Sequence, residues 1–172
     1  MIKYLANIIT IINIIVFIFN IGMIMQKFIF CSCVLVFFSA ILDFLDGFFA
    51  KKFNTISKFG KNIDTISDIL NFGLIPSLVF FVILNDNLTF NPYSYIVFLI
   101  TFFASIRLSL FDDTKPYFIG VPVTLIGIIT MSIVLLLYKK LYLIYEYENL
   151  LYLFIIFLSI SMILPIKIFY RK

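Results

Sequence analysis

Six apolar runs, each close to the length of a bilayer-crossing helix, fill most of this chain. They are Tyr4–Met25, Phe28–Ala50, Ile63–Leu84, Tyr93–Leu110, Tyr117–Tyr138 and Leu150–Tyr170. A helix rises about 1.5 Å per residue, so about 20 apolar residues cross the hydrocarbon. Of the 172 residues, 63% are hydrophobic. A soluble domain runs at about 45–50%, and at this size it has too little interior to hide the excess. The expectation is an all-α polytopic membrane protein with six transmembrane helices among membrane lipids, a single domain over residues 1–172. Tyr4–Met25 is long enough to span and lacks a small-residue cleavage site, so it reads as a span rather than a cleaved signal. Cys31 and Cys33 lie in an apolar run with no other soft ligand nearby and read as packed thiols.

Charge sets the expected orientation. With both ends inside, ten basic residues fall on the inner side: Lys3, Lys51, Lys52, Lys58, Lys61, Arg107, Lys115, Lys167, Arg171 and Lys172. Three fall outside, Lys27, Lys139 and Lys140. Basic residues concentrate on the cytoplasmic side of membrane proteins, so the net charge of +4 calls for no nucleic-acid partner. Tyr93, Tyr95, Tyr117, Tyr138 and Tyr142 fall near span ends, as an interfacial aromatic belt does.

Four of the nine acidic residues crowd into the facing ends of the second and third spans. Asp43, Asp46, Gly47 and Ala50 follow i, i+3, i+4, i+7, and Gly60, Asp64 and Asp68 follow i, i+4, i+8. Each set shares one helix face. An antiparallel hairpin lets the two stripes meet near the cytoplasmic surface. Read as ordinary loop acids, they are too costly, since an aspartate well inside a span costs about 2.5–3.5 kcal/mol on insertion scales. Carboxylates that converge must carry protons or hold cations. Hard oxygen donors suit Mg²⁺ or Mn²⁺, and four carboxylates have room for two divalent ions. A channel or transporter reading requires acids spread through the depth of the bilayer, whereas these gather at one end. Two metals beside a glycine and a basic residue point to phosphoryl chemistry: Gly47 lets a phosphate approach the backbone, and Lys51, one turn on, supplies a point charge. The chain contains no His, which excludes phosphohistidine intermediates and leaves carboxylates among the groups able to move protons.

The pattern Asp43-x2-Asp46-Gly47-x2-Ala50-Lys51-x8-Gly60-x3-Asp64-x3-Asp68 resembles the signature of the CDP-alcohol phosphotransferase family. Lys51 stands where that family usually has Arg, which keeps the charge and loses the bidentate fork. The resemblance implies a six-helix integral membrane enzyme, usually a homodimer, with its site at the cytoplasmic end of the second and third helices. It implies that Asp43, Asp46 and Asp64 are metal ligands, and that Asp68 contacts the second metal and takes the acceptor's proton. It implies that Gly47, Lys51, Ser57 and Gly60 line the site for CDP-diacylglycerol. For a bacterial member, the membrane is the inner one.

Members of that family differ in the acceptor alcohol. Here Phe72-Gly73-x2-Pro76 resembles the F-G-x-A-P of serine-using members, and Thr65 stands where glycerophosphate-using members usually have Pro. Arg107, Leu108, Phe111, Phe118, Gly120 and Pro122 match a second block of the serine-using branch, with Leu110 and Asp112 departing from it. Asn7, Thr10 and Asn13 match its P-N-x-x-T-x-x-N opening, with Ala6 in place of Pro. L-serine is therefore the expected acceptor; glycerol 3-phosphate and inositol phosphate are the alternatives. Arg107 is the candidate contact to the serine carboxylate or a lipid phosphate. Gly120 and Pro122 read as helix-start geometry.

Overall fold

A computed structural model describes residues 5–53, 55, 57–85, 91–110, 117–140, 143, 146–164 and 167–169. Lys3, Tyr4, Phe111, Asp112, Lys115, Tyr142, Tyr170, Arg171 and Lys172, all named above, lie outside the described residues. In hydrocarbon every backbone N–H and C=O must be paired within the segment, so apolar runs become helices even when rich in Ile. Six do so: α1 (Leu5–Met25), α2 (Ile29–Lys52), α3 (Lys58–Leu84), α4 (Pro92–Ser109), α5 (Val123–Leu136) and α6 (Glu148–Ser161). The first four are long and apolar enough to cross a membrane, and the last two are shorter apolar helices.

The helices are patterned for lipid outside and polarity within. On α1, Ile8, Ile11, Ile12, Ile15, Ile18 and Phe19 are exposed, while Thr10, Asn13 and Asn20 are buried. α1 pairs with α2 through the tight turn at Gln26–Phe28. α3 runs through the middle of the bundle and touches α1, α2, α4 and α5, while α6 packs on α4. The core forms around the inner half of α3, where Phe72, Ile75, Val79 and Phe80 meet Ile100, Ile126, Met131 and Ile155.

α3 is not uniformly α-helical. Its first part, Lys58–Asp68, passes into a π-helical turn, Ile69–Leu74, before Ile75–Leu84. The Ile75 N–H bonds the Leu70 carbonyl, five residues back. Pro76 accounts for the wider turn: it lacks an N–H, and its ring would strike the carbonyl four residues earlier, at Phe72. The neighbouring Gly73 carbonyl is served by side chains, accepting from Ser77 Oγ at 3.0 Å and Thr101 Oγ1 at 3.1 Å.

The fifth and sixth runs depart from the boundaries expected of them. Tyr117–Ile119 and Lys167–Phe169 are not helical; they pair as a two-stranded antiparallel ribbon, β1 and β2, with Phe118 opposite Ile168. Two residues explain the late start of α5. Gly120 has φ +72°, and Pro122 is extended at the N-cap of the helix. A Cβ on Gly120 would lie 1.9 Å from the Met162 carbonyl oxygen, so the ribbon closes only around a residue without one. The Val121 N–H completes the junction with a bond to the Ser161 carbonyl at 3.2 Å. α6 stops at Ser161, short of Pro165 in the sequence, which disfavours helix before it.

Candidate active site

The two acidic stripes meet. α2 supplies Asp43 and Asp46, and α3, started by the Ser57 side chain accepting from the Gly60 N–H at 3.0 Å, supplies Asp64 and Asp68. Carboxylate oxygens of Asp43, Asp64 and Asp68 all lie within 4.8 Å of one another. Asp43 and Asp68 are close enough to share a hydrogen bond. Asp68 Oδ1 is buried without a hydrogen-bond partner. Among the described residues this is the one grouping of three or more acidic or thiol ligands close enough to hold a metal ion. Its donors are all carboxylate oxygens, with one orphaned, which fits a hard divalent cation and not a soft one.

Asp46 stands outside that trio. It is buried, and its Oδ2 accepts a hydrogen bond from Thr10 Oγ1 at 2.7 Å. Asp46 and Asp64 together line a small groove of about 70 Å³ with Gly47, Ala50, Ser57 and Gly60. Nothing lies within 4 Å of where a Gly47 Cβ would be, so α2 leaves open space there. Gly60 is the opposite case: a Cβ would come 2.7 Å from Asn7 Oδ1 and 3.1 Å from Ser57 Oγ. The absence of a side chain lets α1 and the start of α3 close on each other. Lys51 is exposed in the last turn of α2; the lysine that lines the groove is Lys61.

On its other side the carboxylate cluster faces a larger cavity of about 820 Å³. Asp64, Asp68 and Lys61 line it, and α4 contributes Arg107. Arg107 is 9% exposed as a residue, and its Nε has no hydrogen-bond partner. The Asp68 carboxylate is near enough for its charge to act on Arg107. Pro122, Val123 and Thr124, at the start of α5, form another wall, so the helix-start residues position that wall as well as the helix. Asp64 and Lys61 belong to both chambers. Asp46 thus borders the smaller space, Asp68 the larger and Asp64 both, an arrangement that can bring two substrates onto one set of carboxylates.

The Phe72-Gly73-x2-Pro76 block does not line either space. Phe72, Gly73 and Pro76 are buried, and the block forms the π turn directly below Asp68. Asn7 and Thr10 line the small groove, and Asn13 bonds both α2 and α3. Their three-residue spacing in an apolar run is legible as one polar helix face; which residues that face meets is not.

A sequence model of one family, CDP-alcohol phosphatidyltransferase, matches residues 3–165. A CDP-diacylglycerol–serine O-phosphatidyltransferase of Helicobacter pylori (strain ATCC 700392 / 26695) is 36% identical over 142 residues, covering 79% of this chain and 59% of that protein. One from Bacillus subtilis (strain 168) is 30% identical over 130 residues, covering 73% of this chain and 72% of that protein. A CDP-diacylglycerol–glycerol-3-phosphate 3-phosphatidyltransferase of Aquifex aeolicus (strain VF5) is 47% identical over 51 residues, 29% of each chain. The aligned part of this chain thus spans about three fifths of the Helicobacter protein's length.

Proposed function

This chain belongs to the CDP-alcohol phosphatidyltransferase family, and from that premise we propose that it transfers the phosphatidyl group of CDP-diacylglycerol to L-serine, giving phosphatidylserine and CMP. The observation that carries the reading is a set of carboxylates bordering two chambers, with Arg107 lining the larger one. Serine as the acceptor is supported by the names of the Helicobacter and Bacillus relatives.

In this mechanism the diphosphate of the lipid lies over Gly47, where α2 leaves open space, flanked by Ser57, Gly60 and the charges of Lys51 and Lys61. Asp43, Asp46, Asp64 and Asp68 would hold two divalent ions, Mg²⁺ or Mn²⁺, which when bound supply charge neutralisation at the diphosphate and at the departing CMP. Serine occupies the larger cavity with its carboxylate on Arg107, a charge-assisted pair that fixes orientation. Asp68 takes the proton of the serine hydroxyl as that oxygen attacks the lipid-linked phosphorus. The new P–O bond to serine forms as the P–O bond to CMP breaks, and CMP leaves with the electron pair. With no His in the chain, a single in-line displacement is favoured over a covalent enzyme intermediate.

The chain is an integral membrane protein. The distribution of Lys and Arg supports a site and chain ends on the cytoplasmic side of a bacterial inner membrane. A homodimer is the assembly we propose for it. Glycerol 3-phosphate is a second acceptor reading, favoured by the local 47% identity to the Aquifex protein. The test is CMP release from CDP-diacylglycerol with L-serine, glycerol 3-phosphate and inositol phosphate compared in one assay. Serine alone is expected to support release above background; release only with another alcohol overturns the serine assignment.

A further inference from the structure

α1 contributes no acid to the site, yet its buried polar face ends on it. Thr10 and Asp46 are each 4% exposed. A threonine inside an apolar helix ordinarily returns its proton to the carbonyl four residues back, and the Ala6 carbonyl stands 3.1 Å away. The Asp46 carboxylate is nearer, at 2.7 Å, and is the stronger acceptor. One turn deeper, Asn13 Oδ1 accepts from Ser39 Oγ of α2. Its own amide donates to the Ser39 carbonyl at 3.4 Å, and its backbone carbonyl accepts from Asn71 of α3 at 3.3 Å. α1 therefore grips both acid-bearing helices just below their carboxylates, and touches one carboxylate directly.

We propose that Thr10 is a positioning residue for metal binding, an inference that rests on reading the four aspartates as divalent-metal ligands. By occupying Oδ2, the hydroxyl holds Asp46 in one rotamer and presents it to the groove it shares with Asp64. Asp46 needs this more than the other acids, because it lies outside the cluster that Asp43, Asp64 and Asp68 form among themselves. Partners that orient a ligand in this way are typically worth about 10–100-fold in metal affinity.

The experiment is a Mn²⁺ titration of the purified, detergent-solubilised full chain, following the electron paramagnetic resonance of free Mn²⁺, with no substrate present. Thr10→Val, which keeps the shape and removes the donor, is expected to weaken Mn²⁺ binding about tenfold or more. Thr10→Ser is expected to bind as the parent does. A Val variant with parental affinity, or a Ser variant as weak as the Val variant, overturns the positioning role. A parent chain that takes up no Mn²⁺ overturns the metal reading itself, a result distinct from a parent-like Val variant. Should the Val chain not fold, Thr10→Cys, near in shape and a weaker donor, is compared with Ser under the same criteria, weaker binding by Cys being expected and equal binding overturning the role.

Discussion

At the residue scale the site turns on acids that differ in surroundings although they match in sequence spacing. Asp68 combines a buried oxygen without a hydrogen-bond partner, proximity to Asp43 and Asp64, and a cavity shared with Arg107. Asn at that position keeps the shape and removes the proton acceptor. Loss of general-base help typically costs about 10²–10⁴-fold, so Asp68→Asn is expected to cut CMP release by at least that range's lower bound. Membrane insertion and detergent elution should stay normal. Activity within tenfold of the parent contradicts the role. The spacing of the four aspartates was readable from the chain alone; the bond that Asp46 accepts from Thr10, 36 positions away, was not. Arg107 beside Asp68 is the same kind of fact, a meeting between α3 and α4 that local pattern cannot contain.

At the level of elements, six apolar runs correctly announced six helices, since lipid leaves a backbone few alternatives. Two features escaped that logic. The β1–β2 ribbon lies at run ends where hydropathy persists but helix does not, and its determinant is a single left-handed glycine. The π turn of α3 lies within an apolar run, and its determinant is Pro76 together with the side chains that serve Gly73. Gly120→Ala tests the first. A non-glycine residue in the left-handed region costs about 1–2 kcal/mol, and here its Cβ would also strike the Met162 carbonyl. The variant is expected to melt at lower temperature in detergent and to raise the serine KM, because the cavity wall at Pro122–Thr124 follows directly. Gly22→Ala is the control: its Cβ would meet nothing within 4 Å, and alanine favours helix by about 1 kcal/mol. An equal melting temperature for the two variants would show that the ribbon is dispensable.

Over the whole molecule, the acids join helices rather than decorate one. Asp43 and Asp46 belong to α2, Asp64 and Asp68 to α3, and Thr10 of α1 bonds Asp46. A cation held among them is therefore a cross-link between helices as well as a participant in the chemistry. Anything that binds the folded state alone raises its stability by mass action. EDTA is expected to stop CMP release and lower the melting temperature of the detergent-solubilised chain, and Mg²⁺ or Mn²⁺ to restore both. A chelator-resistant enzyme contradicts the metal-dependent reading.

The polar inner face of α1 has a consequence for how the protein is made. Thr10, Asn13 and Asn20 find their partners on α2 and α3, at Asp46, Ser39, Ser32 and Asn71. During translation α1 leaves the ribosome before those helices exist, and an unpaired amide or hydroxyl in hydrocarbon is costly. The Asp46 carboxylate of α2 faces the same problem alone. At Thr10, Asn13 and Asn20 the two helices supply one another's partners, so the unit best suited to enter the bilayer is the α1–α2 hairpin, released sideways from the translocation channel as a pair.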